Sequence, residues 1–226
     1  MGAYPQLFAA RVAQEGLQRF IMAQQLMSEK AERDVEVPAN GAVANQRLTA
    51  LTGGLLFLLL GLIGITILSV RSLLPQHLLL GFVLIPPMAL KIASTGYRFM
   101  RYYLRDPLYR QAGPPPLYLR LLAPLVVLTT VALFVSGLEL WFFGLRFGSI
   151  WVAAHKLSFF VWLPVTAVHV LAHLNRTSEV LAQELSSPGP DFLGRRSLVV
   201  GSLVGGAVLA AASLTYASPF IFFAEG

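Results

Sequence analysis

The stretch IWVAAHKLSFFVWLPVTAVHVLAH, residues 150–173, is apolar for long enough to cross a bilayer, yet it carries three of the chain's four histidines, at 155, 169 and 173. An ionisable side chain in hydrocarbon is costly, so histidines that stay there usually face a protein interior and bind something. On a helix, the 14 steps from His155 to His169 fall about 40° short of four full turns and rise about 21 Å. These two imidazoles therefore share one face and lie near opposite membrane surfaces.

Composition extends that reading to the whole chain. Its 226 residues are 56% hydrophobic and 12% charged, with a mean hydropathy of +0.67, too apolar for a water-soluble domain. The expected fold class is all-α, a polytopic membrane helix bundle. Residues 1–46 lack a compact apolar core behind a short basic start, so no secretory signal is expected. The absence of cysteine excludes disulfides, thiolate metal sites, cysteine-held iron–sulfur clusters and thioether-attached haem. The excess of 17 basic over 11 acidic residues needs no nucleic acid, because its distribution is that of charge flanking membrane lipid.

Five spans are predicted, over 48–70, 77–97, 117–140, 150–173 and 197–217. Before them, Phe8, Val12, Leu17, Phe20, Ile21 and Met27 recur at helical spacing with polar residues between. This predicts an amphipathic helix over 5–33 that lies on the membrane or docks on a partner, followed by a linker over 35–46. The organisation expected is a cytoplasmic helix and linker at 1–46, a four-helix core at 47–175, and a loop, fifth span and outer tail at 176–226. Arg98, Arg101, Arg105, Arg110 and Arg120 lie between spans two and three, and Arg176, Arg195 and Arg196 between four and five. The other two loops hold only Arg71 and Arg146. That asymmetry predicts a cytoplasmic amino terminus and an outer carboxyl terminus.

With this topology His77, at the start of span two, and His155, about one turn inside span four, lie at a similar depth near the outer surface. Two imidazoles on antiparallel helices at one level can clasp an iron from opposite faces. Lys91 follows His77 by the same 14 residues that separate His155 from His169. Matched intervals on paired helices are what two stacked haems require, but one of the four positions is lysine. His173 lies one turn beyond His169.

The chain resembles the b-type cytochrome membrane subunits of bacterial respiratory oxidoreductases, those serving nickel–iron hydrogenases, formate dehydrogenases and molybdopterin oxidoreductases. The resemblance covers spans one to four and rests on His77, LKIASTGYRFMRYYL at 90–104, PPPLYLRLLAP at 114–124 and HKLSFFVWLPVTAVHVLAH at 155–173. It implies that His77 and His155 are axial ligands of an outer haem b, and it maps the family's inner ligand pair onto Lys91 and His169. One haem is expected, and a second stays open because of that lysine. The resemblance also implies a bacterial inner-membrane location, a partner redox subunit on the outer face and exchange with the quinone pool.

Arg71 and Arg146 are the outer candidates for pairing with haem propionates. Lys91, Tyr97, Arg98, Arg101, Tyr102 and Tyr103 form an inner cluster suited to a quinone headgroup or an anionic lipid, the lipid being favoured. Gly53, Gly61, Gly64, Gly81 and Gly137 offer room for a flat macrocycle or for plain helix contact, and Pro86, Pro87, Pro124 and Pro164 should bend their helices. Gly201 and Gly205 form a GxxxG pattern in span five, suited to packing on another helix. Arg195 and Arg196 in GRRSLVVG loosely match a twin-arginine signal and read as topology anchors. The spans hold no catalytic arrangement, and Glu139 is their only acid. The expected role is therefore an electron-transfer subunit rather than a self-contained enzyme. The competing reading is a haem-free anchor subunit of a larger complex; a transporter fits less well, since no repeat of spans is evident.

Overall fold

The computed structural model describes residues 4–110, 117–187, 189, 191–216 and 218–220, and the side chains of these outside 4–13 and 31–40. Among the described residues the fold is all-α: α1 (Tyr4–Leu68), α2 (Leu74–Tyr103), α3 (Pro107–Arg110), α4 (Leu117–Phe143), α5 (Ile150–Ser186) and α6 (Phe192–Ser213). Five stretches are long and apolar enough to cross a bilayer, namely Gly41–Leu68 of α1 and the whole of α2, α4, α5 and α6. The protein is a multi-pass membrane helix bundle. Its outward side chains suit lipid tails: Leu121, Leu128, Leu157, Phe160, Leu171 and Val208 are 62–69% exposed.

The chain forms two compact units, Met1–Val43 and Ala44–Gly226. In the first, residues 14–30 are helical and exposed throughout, including Leu17, Phe20 and Ile21. Residues 35–46, expected as a linker, are helical as part of α1, and Ala42, Ala44 and Gln46 favour that state.

In the second unit, several helices outrun their predicted ends. α2 reaches Tyr103 and α5 continues past His173 to Ser186, so Arg98, Arg101 and Arg176 lie on helices rather than in loops. The α5 extension is polar but rich in good helix formers, and one buried acid fixes its end. The Glu184 carboxylate accepts from Arg47 of α1 at 2.8 Å and from Arg195 Nε of α6 at 2.7 Å. Glu184 is fully buried and the Arg195 side chain is 6% exposed. Arg195 thus serves as an internal tie between helices, beyond the anchor role read from the sequence.

α2 packs along α6, and α4 along α5. Pro87 has no N–H to offer the Val83 carbonyl one turn earlier. That freed oxygen faces Gly206, where a Cβ would collide with it, and Gly205 meets Pro86. The small residues of α6 are therefore used within the chain, while Gly201 has open space beside it. Two apolar clusters fill the middle: Leu56, Leu59 and Leu84 form one, and Phe82, Trp141 and Ala210 the other. α5 supplies no residue to either. It is held to α4 by Trp162 Nε1 donating to Thr130 Oγ1 at 2.9 Å, and to α1 near Gly53 and Gly54, which meet Thr177 and Leu181.

Candidate functional site: a histidine pair between α2 and α5

His77 stands in the first turn of α2. Its Nδ1 lies 2.8 Å from Thr66 Oγ1, near the end of α1. The Thr66 hydroxyl has one proton, which it donates to the Ile63 carbonyl at 2.5 Å. Donating there leaves the oxygen to accept, which favours the tautomer with the ring proton on Nδ1 and the Nε2 lone pair free.

His155, one turn into α5, repeats this arrangement. Its Nδ1 lies 3.0 Å from Ser136 Oγ of α4, whose proton goes to the Leu133 carbonyl at 3.0 Å. The same carbonyl also stands beside the His155 ring. Gly137 makes the approach feasible: a Cβ there would lie 3.2 Å from His155 Cε1. Both imidazoles thus meet, through Nδ1, a hydroxyl from a neighbouring helix, a contact that suits the tautomer with Nε2 unprotonated.

The two rings lie within electrostatic reach of each other, although α2 and α5 make no extended packing contact. Gly64 and Gly81, one turn along α2 from His77, have nothing within 4 Å of where a Cβ would project. A flat tetrapyrrole iron takes only two axial nitrogens from protein, a number that two histidines on separate helices can supply. Among the described residues, no three His, Asp or Glu side chains converge as a protein-only metal site would need.

No family model, curated protein or solved structure matches the chain.

Arg71 and Arg146 lie at the same end as the histidine pair, and both are exposed. Arg146 sits over the Phe147 ring, 5.8 Å from its centroid. Glu139, one turn from Ser136 on α4, has both carboxylate oxygens buried without a hydrogen-bond partner among the described residues.

At the other end, Lys91 Nζ donates to the Thr49 carbonyl at 2.7 Å, and Gly53 leaves it room. The His169 and His173 rings are 4.8 Å apart. Lys91 lies within electrostatic reach of both, while His169 Nδ1 is buried with no hydrogen-bond partner among the described residues. Arg98 lies within electrostatic reach of Arg176 and Tyr109. Arg101 is paired with Asp106 and lies over the Tyr97 and Tyr109 rings, so of the two arginines expected to meet a headgroup, Arg101 is already engaged inside the chain. Burial is the main cause that raises the Tyr109 hydroxyl above the usual tyrosine range.

The residues that sequence reasoning passed over are Thr66 and Ser136, which orient the histidines, and the Arg47–Glu184–Arg195 tie. The hydroxyls left a faint trace, since each sits in an apolar span near the depth assigned to its histidine. Glu184 left none, because a polar segment after a span gives no sign that it folds back against two other helices.

Proposed function

We propose that this protein is a membrane-embedded b-type cytochrome subunit that carries electrons between the quinone pool and a partner redox subunit, with His77 and His155 as the axial ligands of one haem b. The observation carrying this reading is a repeated contact: a hydroxyl from another helix meets Nδ1 of each ring, at 2.8 Å for His77 and 3.0 Å for His155, an arrangement that suits an Nδ1–H tautomer with Nε2 left free. When bound, such a haem supplies one-electron chemistry through its ferric and ferrous states. The chain contributes the rest. Thr66 and Ser136 hold the ring planes, Gly137 lets His155 lie close against α4, and the apolar surroundings exclude water. Arg71 and Arg146 are the cations at that end for propionate carboxylates. Lys91 is occupied by the Thr49 carbonyl, which supports one haem rather than two.

The family resemblance supports a place in the bacterial inner membrane. The concentration of arginines at the Arg98 end supports putting that end, with the amino terminus, in the cytoplasm and the carboxyl terminus outside. The experiment is a reduced-minus-oxidised difference spectrum of the purified protein, with pyridine extraction to count haems. We expect b-type bands at one haem per chain, lost in His77→Ala and in His155→Ala. A colourless, fully assembled protein would discard this reading in favour of a haem-free anchor subunit.

A further inference from the structure

α4 and α5 are the least covered spans of the bundle: 11% and 6% of their apolar stretches are buried inside it, against 17–22% for the other three. The side chains that hold α4 in the fold define its inner face. Thr130 meets Trp162, Ser136 and Gly137 meet His155, and Phe134 and Trp141 join the two apolar clusters. At 100° per residue, Leu128 and Val135 lie about 160° around the helix from Thr130 and Gly137.

This outward face carries a regular seam. Leu121, Leu125, Leu128, Ala132, Val135, Glu139 and Phe142 follow one another at alternating intervals of four and three residues, and all of them except Glu139 are exposed. The seam rises about 32 Å, the full thickness of the hydrocarbon. A repeat of 3.5 residues is the pattern by which helices pair side by side. Lipid tails can cover its apolar members but not its acid. Glu139 lies about 6 Å from the outer end of α4, and both its carboxylate oxygens are buried without a hydrogen-bond partner among the described residues. Arg71, Arg146 and Lys156, the cations at that end, form no ion pair with it among those residues. An acid in hydrocarbon is costly and normally pairs.

We infer that the outward face of α4 is a self-association surface, on which two copies of this chain pair in parallel along the Leu121–Phe142 seam with their Glu139 carboxyl groups bonded to each other. A second copy is the occupant that symmetry favours. Copies of a multi-pass protein share one orientation in the membrane, so a two-fold axis along the membrane normal sets each seam residue opposite its own counterpart at the same depth. Glu139 then meets the partner's Glu139. Two carboxyl groups that share a proton give each other the donor and acceptor that neither finds in its own chain. Rotation about the side chain's own bonds carries the group onto the seam. A single polar residue among apolar seam positions also fixes the register of the pair, and the small Ala132 near the middle lets the two helices approach. The inference does not rest on the haem reading.

The chain has no cysteine, so single cysteines report the seam directly. Full-length Leu128→Cys and Val135→Cys are reconstituted in phosphatidylcholine vesicles over a range of protein-to-lipid ratios and oxidised with copper phenanthroline, with haem content recorded on the same samples. Both should form disulfide-linked dimers, whereas Leu157→Cys and Leu171→Cys, as exposed on α5 as Leu128 is on α4, should stay monomeric. In the cysteine-free chain, pairing followed by energy transfer between copies labelled at the amino terminus should weaken about 5- to 30-fold in Glu139→Leu. It should hold in Glu139→Gln, which keeps a donor and an acceptor. Equal cross-linking at the α4 and α5 positions would overturn the inference, as would Glu139→Leu pairing as tightly as the unaltered chain. Monomers at every lipid ratio, the result if lipid or another subunit's helix covers this face, would overturn it too. Should Glu139→Leu fail to fold, the cysteine variants, which keep the glutamate, still decide.

Discussion

Replacing Thr66 with valine changes one atom type and almost no volume, which makes it the cleanest test of how the histidine pair is held. Thr66 Oγ1 lies 2.8 Å from His77 Nδ1 and passes its own proton to the Ile63 carbonyl at 2.5 Å. Valine keeps the shape but removes the acceptor, leaving a half-buried ring N–H with no partner. An unsatisfied buried donor costs about 1–3 kcal/mol. Losing the group that orients a metal-ligating imidazole lowers affinity about 10- to 100-fold, which converts to the same range. Haem-depleted protein titrated with haem and followed by its absorption should therefore show Thr66→Val binding about 10- to 100-fold more weakly. Ser136→Ala should weaken binding less, since the Leu133 carbonyl beside the His155 ring remains to accept its N–H. Thr129→Val is the control, because that hydroxyl bonds only carbonyls of its own helix. If Thr66→Val binds haem like the unaltered chain while His77→Ala does not, the tautomer argument fails even though the ligand assignment survives.

Glu184→Ala strands two arginines at a buried position and should cost about 3–5 kcal/mol, read as a lower midpoint of thermal unfolding in detergent. Gly206→Ala should lower that midpoint by forcing α6 off the Val83 carbonyl, an overpacking cost of about 1–3 kcal/mol, whereas Gly201→Ala should leave it unchanged because its Cβ meets open space. Tyr109 gives a pH dependence. Its hydroxyl holds its proton more tightly in the folded chain than in the unfolded one, so its contribution to stability is intact below about pH 10 and is lost as pH rises through the higher folded value. Tyr109→Phe should flatten that alkaline decline, which unfolding midpoints taken between about pH 8 and 11 would reveal.

The spans could be read from the chain because each one's evidence is local. Some 20 consecutive apolar residues need no knowledge of neighbours, and the five predicted cores all fall within the five stretches observed, apart from a few residues at their ends. Helix ends were less accessible. The continuation of α5 to Ser186 depends on Glu184 meeting Arg47, 137 positions away in sequence, and no local pattern encodes a contact so distant. The depth match of His77 with His155 followed from counting residues between membrane surfaces. The orientation of their rings did not, because it depends on hydroxyls supplied by two other helices. Gly201 and Gly205 show the same limit from the other side: the motif was visible, but it is Gly206, outside the motif, that meets the carbonyl Pro87 sets free.

The shared acid at position 184 also constrains how the chain is made. Arg47 is synthesised and inserted with the first span, well before the helix that carries its counter-ion exists. Until α5 is complete, that span is held to its successor by links without a carboxylate: Leu56 and Leu59 on Leu84, Thr66 to His77, Asn45 and Thr49 to Ser94, and Lys91 to the Thr49 carbonyl. The bundle therefore latches late. A nascent chain ending before residue 184 offers Arg47 no carboxylate from α5.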